Sequence, residues 1–406
     1  MGRSVYHRCM SPGTEEDSPP ADPSHSAADL ILFGTATFLF WTALYLYVPI
    51  LPAHAEAMGA NLVMVGGVIA SYSIAQLLLR MPVGAWADHV GRRKPFVVGG
   101  LLFASAGAGI MAVAPDSWSL FAGRAVTGIA AATWVVSSVF FASYFTEERT
   151  ARGIGIISFV NNGAMVTATS MGGLLADQWN AEVVFAIAAV LGLLGVGFLL
   201  PVKEQRMVRN TRSLESFRSV SLQPDLLRAS FASMLLQFAG FASIFSFTLV
   251  YAARIGAGPS DLGLLTGSYL GAATVATLVT VYLVERSGFL FTITLGVAIM
   301  GGTLLVTPLV TTLGVLVALQ LATGIGRGLS NTALMALSIR TVAPENRATA
   351  MGVYQAVYAI GMFAGPVVGG IVAGAAGIDS VFYLSGLLAL VGGALLYFKR
   401  DTQPTL

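Results

Sequence analysis

The stretch Gly84-Ala-Trp-Ala-Asp88-His89-Val90-Gly91-Arg92-Arg93-Lys94-Pro95 separates two long apolar runs, residues 62–87 and 95–114. The stretch is short and flanked by Gly84 and Gly91, so it predicts a tight turn that lets two helices meet closely. At ~1.5 Å per residue each run is long enough to cross a hydrocarbon core of about 30 Å. The cluster Arg92, Arg93 and Lys94 then marks the side of the membrane on which the turn stays.

The rest of the chain repeats this design. Its 406 residues are 55% hydrophobic and 10% charged, with a mean hydropathy of +0.77. Water-exposed surfaces take charged residues to about 25% of a chain, so most of this surface meets lipid. Further apolar runs fall near 30–52, 118–143, 152–176 and 181–201, then near 226–251, 260–284, 289–310, 313–340, 347–374 and 379–398. The expectation is an all-α integral membrane protein of twelve spans in two six-helix units, 30–201 and 226–398, joined by a polar linker, 202–225. Residues 1–29 read as a disordered tail rich in Ser, Pro, Asp and Glu, and 399–406 as a second short tail. The N-terminal tail lacks the short apolar core and cleavage site of a secretory signal, so the first run reads as a retained span.

Orientation follows from the basic residues. Placing both termini in the cytoplasm puts 18 of the 22 Lys and Arg residues in cytoplasmic segments, leaving Arg80, Arg124 and Arg327 within spans and Arg254 at an outer edge. The net charge of +2 is therefore a topology signal and gives no indication of a nucleic-acid partner. Lys occurs only at Lys94, Lys203 and Lys399 against many Arg, which suits a GC-rich genome and a prokaryotic inner membrane.

The four His and single Cys cannot assemble a zinc, haem or iron–sulfur site of the usual ligand count, and Cys9 has no intramolecular partner. No metal or cofactor is expected. Paired carboxylates, a Ser/His pair or a metal cluster within reach of one another are missing, so an enzyme is not expected.

The two units repeat. An offset of 197 pairs Ser71-Tyr72 with Ser268-Tyr269, Asp88 with Glu285, Gly91 with Gly288, Gly155 with Gly352 and Gly172-Gly173 with Gly369-Gly370. An offset of 196 pairs Leu120, Thr127, Gly128 and Ile129 with Leu316, Thr323, Gly324 and Ile325. Such duplication is a mark of secondary transporters.

The stretch from Gly84 to Lys94 resembles the G-x-L-A-D-R-x-G-R-R-x motif of the major facilitator superfamily, with Trp86 and His89 as departures. The resemblance covers about residues 30–398 and implies the twelve-helix, two-bundle, alternating-access fold and a monomer. It also implies a latch of Gly84, Asp88, Gly91, Arg92 and Arg93, in which Asp88 meets the N-terminus of span 11 when the inner side is closed, and Glu285 acts likewise in the second unit. In span 4, Leu120 to Ala130 resembles the family's R-x-x-Q-G pattern around Arg124, with Thr127 where Gln is common; the pattern implies proton handling, and the residue itself equally suits tying helices together. Span 11 carries Gly361-x-x-x-Gly365-Pro366-x-x-Gly369-Gly370, similar in form to the family's antiporter motif. That motif belongs in span 5, where this chain has Ala164-x-x-x-Ala168-Thr169-x-x-Gly172-Gly173 and no Pro.

Arg327 lies near mid-membrane, and its repeat partner is Ala131, so the charge belongs to one unit only. No Asp or Glu is deep in any span, so its counter-ion is either a substrate anion or a set of carbonyls and waters. Candidate substrate contacts are Arg327, Asn331, Trp41, Tyr45, Gln76, Trp134, Asn161, Asn162, Gln237, Tyr269, Tyr354, Gln355 and Tyr358. Arg80 is expected to snorkel to the inner interface, and His54 and Glu56 suit either a solvated loop or a proton-entry pair acting with Arg124. The expected function is secondary transport of a small organic solute by alternating access, as proton-coupled efflux of a drug-like compound or an anionic or zwitterionic metabolite. Uptake or uncoupled movement of a sugar or organic acid, and lipid translocation, are the alternatives.

Overall fold

A computed structural model describes residues 27–145, 149–204, 222–343 and 346–396. The expectations for most of the tail 1–29, for most of the linker 202–225 and for residues 399–406 lie outside the described residues. Regular structure among the described residues is helical throughout. The first unit holds α1 (Ala27–Tyr45), α2 (Leu51–Ala57), α3 (Leu62–Val90), α4 (Lys94–Ala112), α5 (Ser117–Ala132), α6 (Trp134–Ala142), α7 (Thr150–Gln178) and α8 (Ala181–Leu199). The second holds α9 (Pro224–Ala242), a π-helical turn (Ser243–Phe247), α10 (Thr248–Arg254), α11 (Pro259–Val306), α12 (Leu313–Ile339), α13 (Arg347–Ala376) and α14 (Ile378–Ala394).

These elements coincide with the twelve spans once their breaks are read. The α11 helix is two spans joined at Gly288, whose φ of 82° reverses the chain. Gly91, its partner at the offset of 197, caps α3 at φ 68°. Span 4 breaks between α5 and α6, where the Thr133 hydroxyl donates to the Ala130 carbonyl at 2.8 Å. Asn61, Asp116 and Asn180 cap α3, α5 and α8 by accepting the backbone N–H groups of Met64, Ser119 and Val183. Leu193, Leu194 and Leu387 on the outer helices are exposed and suit a hydrocarbon surround.

The repeat is visible in the packing. Gly128 lies against the Tyr72 carbonyl and Ala75, and Gly324 lies against the Tyr269 carbonyl and Ala272, so the same joint is built twice. Each half also offers the other a glycine. Gly66 on α3 abuts Pro366 and Gly370 on α13, while Gly263 on α11 abuts Thr169 and Gly173 on α7. Gly66 and Gly263 are repeat mates, as are Gly173 and Gly370, so the two contacts are related by the pseudo-symmetry of the halves.

Both contacts lie at the end of the bundle opposite the basic loop, here called the far end. A side chain at Gly66 would overlap the Pro366 carbonyl, and one at Gly173 would overlap the Pro259 carbonyl. Backbone cannot yield as a flexible side chain does, so the far end is sealed backbone to backbone. At the basic end Gly91, Gly155, Gly288 and Gly352 have nothing near the position a Cβ would take. The halves therefore meet backbone to backbone at the far end, and these four glycines make no such contact at the basic end. In α13 the same glycine series serves two neighbours: Gly361 and Gly365 face the α9 backbone at Met234 and Phe238, and Gly370 faces α3.

Gly66→Val is expected to wedge α3 from α13. A cysteine placed at Ile69, buried in the parent, should become reactive to an impermeant maleimide from the far side in a Cys9→Ser background.

Candidate functional site

Three guanidinium groups lie inside the spans at different depths. Arg124 is seven residues into α5, ~10 Å from the far end; Arg327 is fourteen residues into α12, ~21 Å; Arg80 is eighteen residues into α3, ~27 Å. Among the described residues, the carboxylates Glu56, Asp116, Asp177, Glu182, Asp261 and Asp379 gather at the far end, and Asp29, Asp88, Glu204, Asp225 and Glu285 at the basic end. None of these carboxylates is at the depth of the three cations.

Each cation is accommodated differently. Arg124 is 5% exposed and lies over the Tyr72 ring, its guanidinium carbon 4.1 Å from the centroid. It donates to the Tyr47 hydroxyl at 3.2 Å and approaches the Leu44 carbonyl at 3.5 Å. A small cavity beside it is lined by Tyr45, Ile69, Tyr72, Phe241 and Phe245. Arg80 points inward rather than snorkelling. It donates to Gln76 at 2.8 Å within α3, and to Gln355 at 3.2 Å and Tyr358 at 3.4 Å on α13, and so joins the halves. Polar side chains across the gap offered nearer partners than the interface did.

Arg327 makes no hydrogen bond or ion pair among the described residues and is half-buried. Its Nη1 lies 2.8 Å from where a Cβ on Gly240 would be, and the Tyr269 hydroxyl is 3.9 Å from the same point. The absence of a side chain at position 240 therefore makes room for the guanidinium. The Tyr269 hydroxyl and Gln237 Oε1, one turn before Gly240, are both buried without a partner. Arg327 and Arg124 both act electrostatically on Tyr45, and Arg327 acts on Tyr354. Buried polar atoms without partners are rare in proteins and mark places where water or a ligand completes the site.

The remaining sequence candidates divide into groups. Trp41 packs edge-on against Trp134 at 5.3 Å and beside Tyr45 at 5.7 Å, with the Trp41 indole N–H unpartnered. Asn161 Oδ1 is likewise buried and unpartnered, and Asn162 and Asn331 are half-buried with no hydrogen bond of their own. Gln76 and Tyr358 belong to the Arg80 group. Tyr354 turns away, donating to Ser233 at 2.9 Å within its own half.

His54 and Glu56 do not face Arg124. Glu56 pairs with Arg254 at 2.5 Å, linking α2 to α10 across the far end, and His54 packs on Phe185 at 5.6 Å. Burial lowers the His54 pKa below its ordinary value, with Glu182 opposing. At the basic end Asp88 is 71% exposed beside Arg93 at 3.5 Å, and Arg92 and Glu285 are exposed. Glu204 accepts the backbone N–H groups of Arg93 and Lys94 at the start of α4, while Lys94 Nζ donates to the Leu200 and Val202 carbonyls at 2.6 and 2.7 Å. The turn is thereby stapled to the end of α8, with a carboxylate on a helix N-terminus and an ammonium near a helix C-terminus. Sequence reasoning passed over Tyr47, Tyr72, Arg254 and Glu204. Tyr72 carried a signal, since it sits in the repeated Ser-Tyr pair.

Two duplicated helical halves that meet backbone to backbone at one end, with three cations inside their spans, have the architecture of a membrane transporter. The sequence profile of the Major Facilitator Superfamily matches residues 33–258 and 229–406, and the chain belongs to that family. It is 32% identical over 200 residues to the class C tetracycline resistance protein of Escherichia coli, covering 47% of this chain and 49% of that protein. The chain thus spans about half the length of that relative. An MFS-type transporter of Methanocaldococcus jannaschii is 24% identical over 371 residues, 87% of this chain and 93% of that protein. Among solved structures, a bacterial homolog of the human lysosomal transporter Spinster, inward-facing and occupied, matches with a TM-score of 0.77 at 16% identity, covering 91% of this chain and 95% of that one.

Replacing Tyr72 by Leu removes the ring beneath Arg124 and should cost about 1–2 kcal/mol of stability. Combined with Arg124→Gln the loss should be less than the sum of the two single losses, as read by melting of the purified protein.

Proposed function

We propose that the chain exports a small organic anion by alternating access, with the basic end and both termini in the cytoplasm and the anion anchored at Arg327. The observation that carries the reading is a mid-span guanidinium with no counter-charge among the described residues, close to the unpartnered Tyr269 hydroxyl and one turn of α9 away from the unpartnered Gln237. A cation placed so costs at least ~2.5 kcal/mol on insertion scales, and a bound anion offsets that cost. Trp41, Trp134 and Tyr45 supply an aromatic wall for the solute's body. The outward direction is in keeping with a relative named for tetracycline resistance, since removal of a compound from the cell confers resistance to it.

Anion export needs no proton in a cell that is negative inside. The membrane potential supplies about 2.3 kcal/mol per charge per 100 mV in the outward direction. This agrees with spans in which the described carboxylates stay at the helix ends. A second reading keeps protons as the counter-ion, passing by His54, Glu56 and Arg124; the low pKa of His54 and the pairing of Glu56 with Arg254 favour the first. The latch of Asp88 and the basic turn would form on closure of the cytoplasmic side, consistent with the exposure of Asp88 here.

Proteoliposomes loaded with naphthalenesulfonate, with a potassium diffusion potential imposed, test the proposal. Efflux should accelerate as the lumen becomes negative and stop in Arg327→Gln. Efflux driven by a pH gradient at zero potential would favour the proton reading. Transport of a quaternary ammonium of similar size in place of the sulfonate would overturn the anion reading.

A further inference from the structure

We propose that the solute carries two anionic groups, one held at Arg327 on α12 and the second at Arg80 on α3, so that a single dianion bridges the two halves. The proposal rests on the anion reading above and adds a second subsite to it.

Three observations bear on Arg80. Its partners are all neutral: Nη1 donates to Gln355 Oε1 and the Tyr358 hydroxyl, and Nη2 to Gln76 Oε1. Three neutral acceptors occupy three of its N–H donors, and none of them balances the charge. Its Nε is buried and has no acceptor. Of the five guanidinium N–H groups, these contacts use both on Nη1 and one on Nη2. The Nε–H and one Nη2–H remain, and Nε and Nη2 share one edge of the guanidinium plane. That edge is the fork that takes a carboxylate or phosphate through two parallel hydrogen bonds.

The repeat supports this assignment. The mate of Arg80 at the offset of 197 is Thr277, whose hydroxyl is 3.2 Å from that of Thr332 within its own half. The mate of Arg327 is Ala131. Both charges therefore depart from the duplicated framework, one in each half and on opposite sides of the cleft. Arg124, the third cation, also has a buried Nε without an acceptor, but it is enclosed within one half. It is 5% exposed, the Tyr72 ring covers its face, and the Tyr47 hydroxyl and the Leu44 carbonyl lie on its Nη1, whereas Arg80 is only half-buried and reaches across to α13. Arg80 already touches both halves, so an anion docked on it would sit where relative motion of α3 and α13 is felt. Affinity for a dianion would then depend on the conformational state.

The test uses the purified full-length protein in neutral detergent and reads tryptophan fluorescence. The probes are α,ω-dicarboxylates of increasing chain length and the monocarboxylates of matching length. One dicarboxylate length is expected to bind roughly tenfold or more tightly than its monocarboxylate, since a second charge-assisted fork is engaged. Arg80→Gln should bring that dicarboxylate down to the monocarboxylate level, and Arg80→Lys should recover part of the gain as a point charge without the fork. Arg327→Gln should weaken both series. If Arg80→Gln does not fold, Arg80→Lys alone decides, by its loss of the preference for the matched length. Equal binding of mono- and dicarboxylates at every length, with binding still dependent on Arg327, would overturn the second subsite and leave the anion reading standing. No binding in either series, or binding indifferent to Arg327→Gln, would remove both. Displacement of the dicarboxylate by phosphatidylglycerol in an Arg80-dependent way would reassign the fork to a lipid headgroup and overturn the proposal.

Discussion

A guanidinium does not lose its proton, so inside a membrane it must be given a partner, and the arrangement of partners organises this molecule. Arg124 receives tyrosine rings and a hydroxyl, and Arg80 receives amides and a hydroxyl from both halves. Arg327 receives nothing from the described protein. Low dielectric makes such an unmatched charge expensive, and it also strengthens any anion contact made there. An anion is the one partner that the described residues do not supply to Arg327.

The glycine pairs determine how the cleft opens. Gly66 with Gly370 and Gly173 with Gly263 bring backbones together at the far end, and pseudo-symmetry ensures that closure on one flank is matched on the other. Backbone contacts of this kind are either made or broken, since no side chain can stretch to keep them partly formed. Alternating access requires contacts that are made in one arrangement and broken in another, and a backbone seal of this kind meets that requirement. The Glu56–Arg254 pair crosses the same end and adds a polar tie that water can compete for when the seal parts.

Much of the fold was legible in the sequence because span length, charge placement and repetition are one-dimensional signals. The turn at Gly91 and its mate Gly288 could be placed before any coordinates, and both adopt the left-handed backbone that glycine favours. The site was legible in part. Arg327, Tyr269, Gln237, Trp41 and Trp134 were identifiable as polar or aromatic residues in spans, and the geometry groups them. The direction of Arg80 was not legible, because its partners Gln355 and Tyr358 are on a helix 275 and 278 residues away in sequence. For the same reason Glu56 was assigned to a proton path while its partner, Arg254, came from the opposite half. Contacts across a pseudo-twofold axis leave no local pattern. The break at Ser243–Phe247 was also hidden, since a π-helical turn has the same apolar composition as the helix around it.

The most direct test of the central claim is an experimental structure with a bromine-substituted aromatic sulfonate, located by the anomalous signal of the bromine. The account predicts the sulfonate oxygens within hydrogen-bond distance of the Arg327 guanidinium, near the Tyr269 hydroxyl and Gln237, with the ring against Trp41 and Tyr45. A bromine peak elsewhere, with Arg327 bonded instead to carbonyls of neighbouring helices, would contradict it.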